Sequence, residues 1–133
     1  MENFLTLMLM AMLVDGKVHD TEVQLINNYS KLYPRFDGLS EERIQTSAVG
    51  LNRKLNSGFD EKTVIDALLQ EMKEKLSEAD REKGYALASE ICASNFEMHL
   101  NERKFLSRMV EIFEISEEIE NAVSRSLQLR YDL

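Results

Sequence analysis

The stretch Ala11-Met12-Leu13-Val14-Asp15-Gly16-Lys17-Val18-His19-Asp20-Thr21-Glu22 decides how this chain folds. Its left side closes a run, Phe4 to Val14, that is apolar except for Thr6. A helix that is apolar around its whole circumference is one buried on all sides. Asp15-Gly16 then breaks the run: glycine takes the left-handed conformation that ends helices, and an aspartate beside it accepts hydrogen bonds from loop amides. Asp20 is placed to cap a following helix, with Glu22 in its first turn, where the helix dipole favours a carboxylate. The stretch therefore reads as helix, tight loop, helix.

Outward from it, apolar residues recur at helical spacing and capping residues separate the segments. The spacing predicts a first helix over about 3–14. A second runs from Asp20 with Val23, Ile26, Tyr29, Leu32 and Tyr33 on one side and ends before Pro34. Tyr33 to Gly38 reads as a loop. Ser40 caps a third helix with the stripe Ile44, Ala48, Leu51 and Leu55, closed by Asn56-Ser57-Gly58. Asp60 starts a fourth, with Val64, Ile65, Leu68, Leu69, Met72 and Leu76 facing inward. Ser77 with Asp80 three residues on resembles a capping box and opens a fifth helix through Tyr85, Leu87, Ala88, Ile91 and Cys92. Asn101 caps a sixth carrying Phe105, Leu106, Met109, Val110 and Phe113; Ser116 caps a seventh with Ile119, Ala122, Val123 and Leu127 inside. No segment sustains period-two alternation. The predicted fold class is all-α, a compact bundle of about seven helices forming a single domain over residues 1–133.

Composition narrows the function classes. The chain has 133 residues, with 16 Lys+Arg against 24 Asp+Glu and a net charge of −8. A domain of this length buries a core without disulfides or a structural metal. A single cysteine cannot make an internal bridge, so the expected compartment is reducing and cytoplasmic. Cys92, between Ile91 and Ala93 on an apolar face, reads as a small core residue. The run Phe4–Val14 would cover only about half of a bilayer's hydrocarbon, which excludes a membrane span, and Met1-Glu2-Asn3 lacks the positive start of a secretory leader. Basic residues such as Arg53-Lys54, Lys73, Lys75 and Arg103-Lys104 are scattered close to acids, and the net charge opposes a phosphate backbone; nucleic acid is not an expected partner. The acidic stretch Glu111, Glu114, Glu117, Glu118 and Glu120 is either a docking face for a basic partner or a solvated face whose last three members sit at a helix N-terminus. There is no Walker loop, no Gly-x-Ser-x-Gly elbow, no His-Glu-x-x-His and no paired Glu-x-x-His, and the expectation is a protein that is not an enzyme.

Sliding the chain against itself by 80 residues sets Asp15 on Asn95, His19 on His99, Glu22 on Glu102, Ile26 on Leu106 and Leu32 on Ile112. Both histidines of the chain coincide. The pattern predicts two related helix-loop-helix units, about 3–33 and 83–113, with middle helices over about 40–76. Asp15 to Glu22 also matches the second half of an EF-hand loop, but Ala11 and Leu13 stand where two oxygen ligands are required. Two readings of the loop stay open beside a third, contact with a partner. In one, Asp15, Gly16 and Glu22 cap and turn the chain. In the other, Asp15, Glu22 and Glu102, with His19 or His99 and Asn95, converge on a divalent cation. Carboxylates alone favour calcium or magnesium, and engaged histidines favour zinc. Both histidines would also titrate near neutral pH.

The segment Ala11 to Glu22, with its degenerate second copy, resembles the TerB-like family of bacterial all-helical domains named for tellurite resistance. The resemblance covers roughly 4–33 and 84–130. It implies a compact, usually intracellular helical bundle without established catalysis, with the acids of the repeated loops as candidate metal ligands. It also implies a module of the kind found beside J-domains in co-chaperones and in membrane-linked stress complexes. The resulting expectation is a non-enzymatic interaction module in a bacterial stress-response or envelope-associated assembly, reaching a membrane only peripherally through another protein. The alternative is a divalent-metal-binding or metal-sensing domain. Asn95-Phe96 stands where the family pattern has Asp-Gly, which argues against a symmetric two-site metal centre.

Overall fold

Leu7, Met8, Leu9, Met10 and Ala11 each expose at most 1% of their surface. At about 100° per residue, five consecutive positions sweep the whole circumference of a helix. Over residues 7–11 the first helix, α1 (Glu2–Leu13), is therefore enclosed by protein on every side, as its uniform apolarity predicts. The computed structural model describes residues 2–14, 41–55, 61–94, 98 and 100–131. Its remaining helices are α2 (Glu41–Leu55), α3 (Glu61–Lys75), α4 (Glu78–Ala93), α5 (Leu100–Phe113) and α6 (Glu117–Tyr131), and no strand occurs among the described residues. The helix expected from Asp20 to Pro34 lies outside the described residues, as do Ser40, Asn56 to Gly58 and Asp60.

Helix α4 takes α1, α5 and α6 against its sides, while α2 lies on α1 and α3, and α3 lies on α5. The sequence of α4 explains its central place. Gly84, Ala88, Ser89, Cys92 and Ala93 are small and buried, so neighbouring helices approach closely, and the Leu and Met side chains of α1 fill the space above them. Ser89 and Ser94 donate their hydroxyls to the carbonyls of Tyr85 at 2.7 Å and Ile91 at 2.8 Å, so their burial leaves no hydroxyl unsatisfied. The stripe Ile65, Leu69 and Met72 buries α3, with Val64, Leu68 and Leu76 at its margins. Phe105, Leu106, Met109, Ile112 and Phe113 bury α5. Under the 80-residue offset α1 falls on the later part of α4, and these two helices pack on each other. The division into repeat units about 3–33 and 83–113 stays a proposal, because residues 15–40 lie outside the described ones.

Two caps read from the sequence are in place. Ser77, extended at φ −67° and ψ 164°, accepts the Asp80 N–H at 3.2 Å, and Ser116 accepts the Ile119 N–H at 3.2 Å. Ser77→Ala is expected to cost about 1 kcal/mol and to lower the thermal midpoint by roughly 3–5 °C, read by circular dichroism. Two expectations need correction. Helix α5 begins at Leu100, so Asn101 lies within its first turn and is not the cap; a helix terminus read from side chains alone shifts by a residue or so. Ala122 is exposed, because α6 is peripheral: Leu127 is its buried residue, with Val123 and Ile119 half-buried one and two turns earlier. That stripe is one residue wide and leaves Ala122 beside it in solvent. The last turn of α6 is fastened to α4 by polar groups, with Arg130 on Glu90 and the Tyr131 hydroxyl donating to the same carboxylate at 3.2 Å.

Between α5 and α6 the chain reverses through Glu114, which is left-handed at φ 56°. The Ile115 N–H bonds back to the Val110 carbonyl at 3.0 Å, and the Ile115 side chain is buried. This is the Schellman arrangement, with an apolar residue closing the turn. Glutamate holds a position that favours glycine, and its carboxylate meets Lys73 of α3 at 3.3 Å. No described helix is long and apolar enough to cross a membrane.

Candidate functional site

Of the six side chains proposed as ligands, Glu102 is described; Asp15, His19, Glu22, Asn95 and His99 lie outside the described residues. Among the described residues no three His, Cys, Asp or Glu side chains gather where they could hold a metal ion. Glu102 sits in the first turn of α5 with 2% of its surface exposed. A carboxylate this deep is costly unless compensated, and the unsatisfied amides and dipole at the helix start supply part of the compensation.

The two faces of α5 differ sharply. Glu102, Phe105, Leu106 and Met109 turn inward. Leu100, Arg103, Lys104, Ser107 and Arg108 border a cleft of about 700 Å³ whose other wall is Lys62, Ile65 and Asp66 of α3. Val14, the residue before Asp15, lines the same cleft. The end of α1 and the first turn of α5 thus border one space.

Its electrostatics follow from the pairings. Arg108 grips Asp66 through two parallel bonds, Nε to Oδ1 and Nη2 to Oδ2, each 3.0 Å. This fork geometry suits a guanidinium and a carboxylate. The hydrogen bonds from Arg108 to Asp66 lift the guanidinium's pKa above its ordinary value. Asp66 is thereby occupied, and the same arginine also donates to Glu111. Lys62, Arg103 and Lys104 are exposed and make no ion pair among the described residues.

From sequence alone the basic residues all look close to acids. The structure separates them: Lys73 reaches Glu114 and Lys75 reaches Glu71 at 3.1 Å, whereas Arg103 and Lys104 point into the cleft. The acidic stretch also divides. Glu111 and Glu114 each hold a cation of this chain, and Glu117, Glu118 and Glu120 form the first turn of α6, where its dipole favours them. Cys92 is fully buried in the core, as its neighbours predict.

No curated protein and no solved structure matches the chain. The family whose sequence model matches is described as tellurite resistance protein TerB, and the match runs over residues 1–124. With nearly the whole length covered, and the all-helical architecture in place, this chain belongs to the TerB family.

Proposed function

We propose that the chain is a TerB-type module that works by holding another protein and not by catalysis, within a bacterial stress-response or envelope-associated assembly. The observation that supports this reading is the family match over residues 1–124. The described interior agrees with a structural role, since the buried hydroxyls of Ser89 and Ser94 are spent on backbone carbonyls. The test is reconstitution. A partner recovered on the immobilised chain is purified, recombined with it and sedimented; a stoichiometric complex from the two pure components is the expected result. Substrate turnover abolished by a loop substitution would overturn the reading.

The burial of Glu102 favours a second reading, in which Asp15, Glu22 and Glu102, with His19 or His99 and Asn95, hold a divalent cation. Calcium or magnesium fits a carboxylate set, and zinc fits engaged histidines. Thermal unfolding of chelator-treated protein with each cation separates the two. A cation at about a hundred times its dissociation constant adds about 2.7 kcal/mol and raises the midpoint by about 10 °C in a domain of this size. A selective rise that Asp15→Ala and Glu22→Ala both lose would put metal binding first. Flat curves with every cation would leave these acids as caps.

A further inference from the structure

We propose that the cleft between α3 and α5 docks a short acidic segment of a partner protein, its carboxylates taken by Lys62, Arg103 and Lys104 and an apolar side chain seated over Ile65 and Phe105. This rests on the interaction-module reading above and names its surface. The chain as a whole carries −8, yet this cleft is lined by four cations and one carboxylate, and that carboxylate is already gripped by Arg108. Three cations from two helices therefore face one space without a counter-charge among the described residues. Beside them Leu100 exposes 62% of its surface, and the buried rings and branches of Phe105 and Ile65 form the floor.

A ligand that satisfies both features carries negative charge and an apolar anchor together. An anionic bilayer or a nucleic acid presents an extended charged surface and meets the repulsion of the whole acidic chain. A short peptide meets only the field within about 8 Å, the screening length at physiological salt, and there the sign is positive.

The experiment uses the full chain. Ser107→Cys places a thiol on the exposed cleft wall while Cys92 stays buried, and a fluorophore on that thiol reports occupancy. The probes are a twelve-residue peptide of Glu, Asp and Leu, its Gln and Asn counterpart, a single-stranded oligonucleotide and phosphatidylserine vesicles. Saturable binding of the acidic peptide alone is expected, weakened by salt and reduced about tenfold or more by Arg103→Glu with Lys104→Glu. Those reversals lie near the start of α5, where added acid suits the helix dipole and the fold is retained. The matched pair Lys83→Glu with Arg125→Glu, both exposed outside the cleft, should leave affinity within about twofold.

Equal affinity in the cleft and control pairs overturns the proposal, as does preference for the oligonucleotide or the vesicles. Slow labelling of the Ser107→Cys thiol in the free protein does so too, since the cleft would then be covered by this chain itself. A reconstituted partner complex that survives the cleft reversals overturns this surface and leaves the module reading standing. Peptide binding with no reconstitutable partner does the opposite.

Discussion

Aspartate in place of any one of Met8, Leu9 or Met10 is expected to abolish cooperative folding. These three positions are consecutive and each is at most 1% exposed. On a two-faced helix, three successive side chains point about 100° apart and at least one reaches the rim or the solvent. On α1 none does, so each variant would bury an unpaired carboxylate among Leu, Met and Ala. The cost is several kcal/mol, comparable with the whole stability of a domain, about 5–15 kcal/mol. Far-UV circular dichroism against temperature, with amide proton dispersion by NMR, checks this. The matched control is Ala122→Asp on the exposed side of α6, expected within about 0.5 kcal/mol of the parent. A Leu9→Asp variant that melts like the parent would mean that α1 has a solvent face, contrary to the fold described above.

The second large effect is at Phe113, the last residue of α5, with 1% of its surface exposed. Phe113→Ala is expected to cost about 3–5 kcal/mol, combining lost transfer energy with the cavity left behind. In urea the midpoint should fall with the slope unchanged, as befits a loss of packing without a change of denatured state. Phe113→Leu keeps most of the volume and should cost less than about 1.5 kcal/mol. Two circumstances make the site unforgiving. The chain turns immediately after it through the left-handed Glu114, and Ile115 is anchored in the core one residue later. Backbone held from both sides cannot close over the space that a lost ring leaves.

How far the sequence carried this reading depends on the distance over which each feature is determined. The burial of α1 is written in consecutive residues, and the caps at Ser77 and Ser116 in residues three apart, so all were legible. The exposure of Ala122 was not, because the width of a helix's buried stripe depends on how many neighbours it has, and α6 is peripheral. The candidate ligands followed from an internal repeat; the structure places Glu102 deep in the protein and describes none of the other five. The cleft was invisible for a plainer reason. Whether Arg103, Lys104 and Lys62 stand beside an acid is decided by the packing of α3 on α5, which no local pattern encodes. Asp66 satisfies Arg108 across that junction and leaves the other three facing the open space.

The pairing of α1 with α4 has a consequence in time. Helices α4, α5 and α6 follow one another in the chain, and α5 and α6 both pack on α4, so their contacts close short loops and form quickly. Helix α1 must wait for a surface that begins at Glu78. At roughly 5–20 residues per second of synthesis, that surface arrives several seconds after α1 has been made. During that interval the most apolar segment of the protein has α2, but not yet α4, to pack against. Slowing translation between α1 and α4 should lengthen its exposure and increase the share of newborn chains that aggregate or are captured by chaperones, although the finished protein would be unchanged.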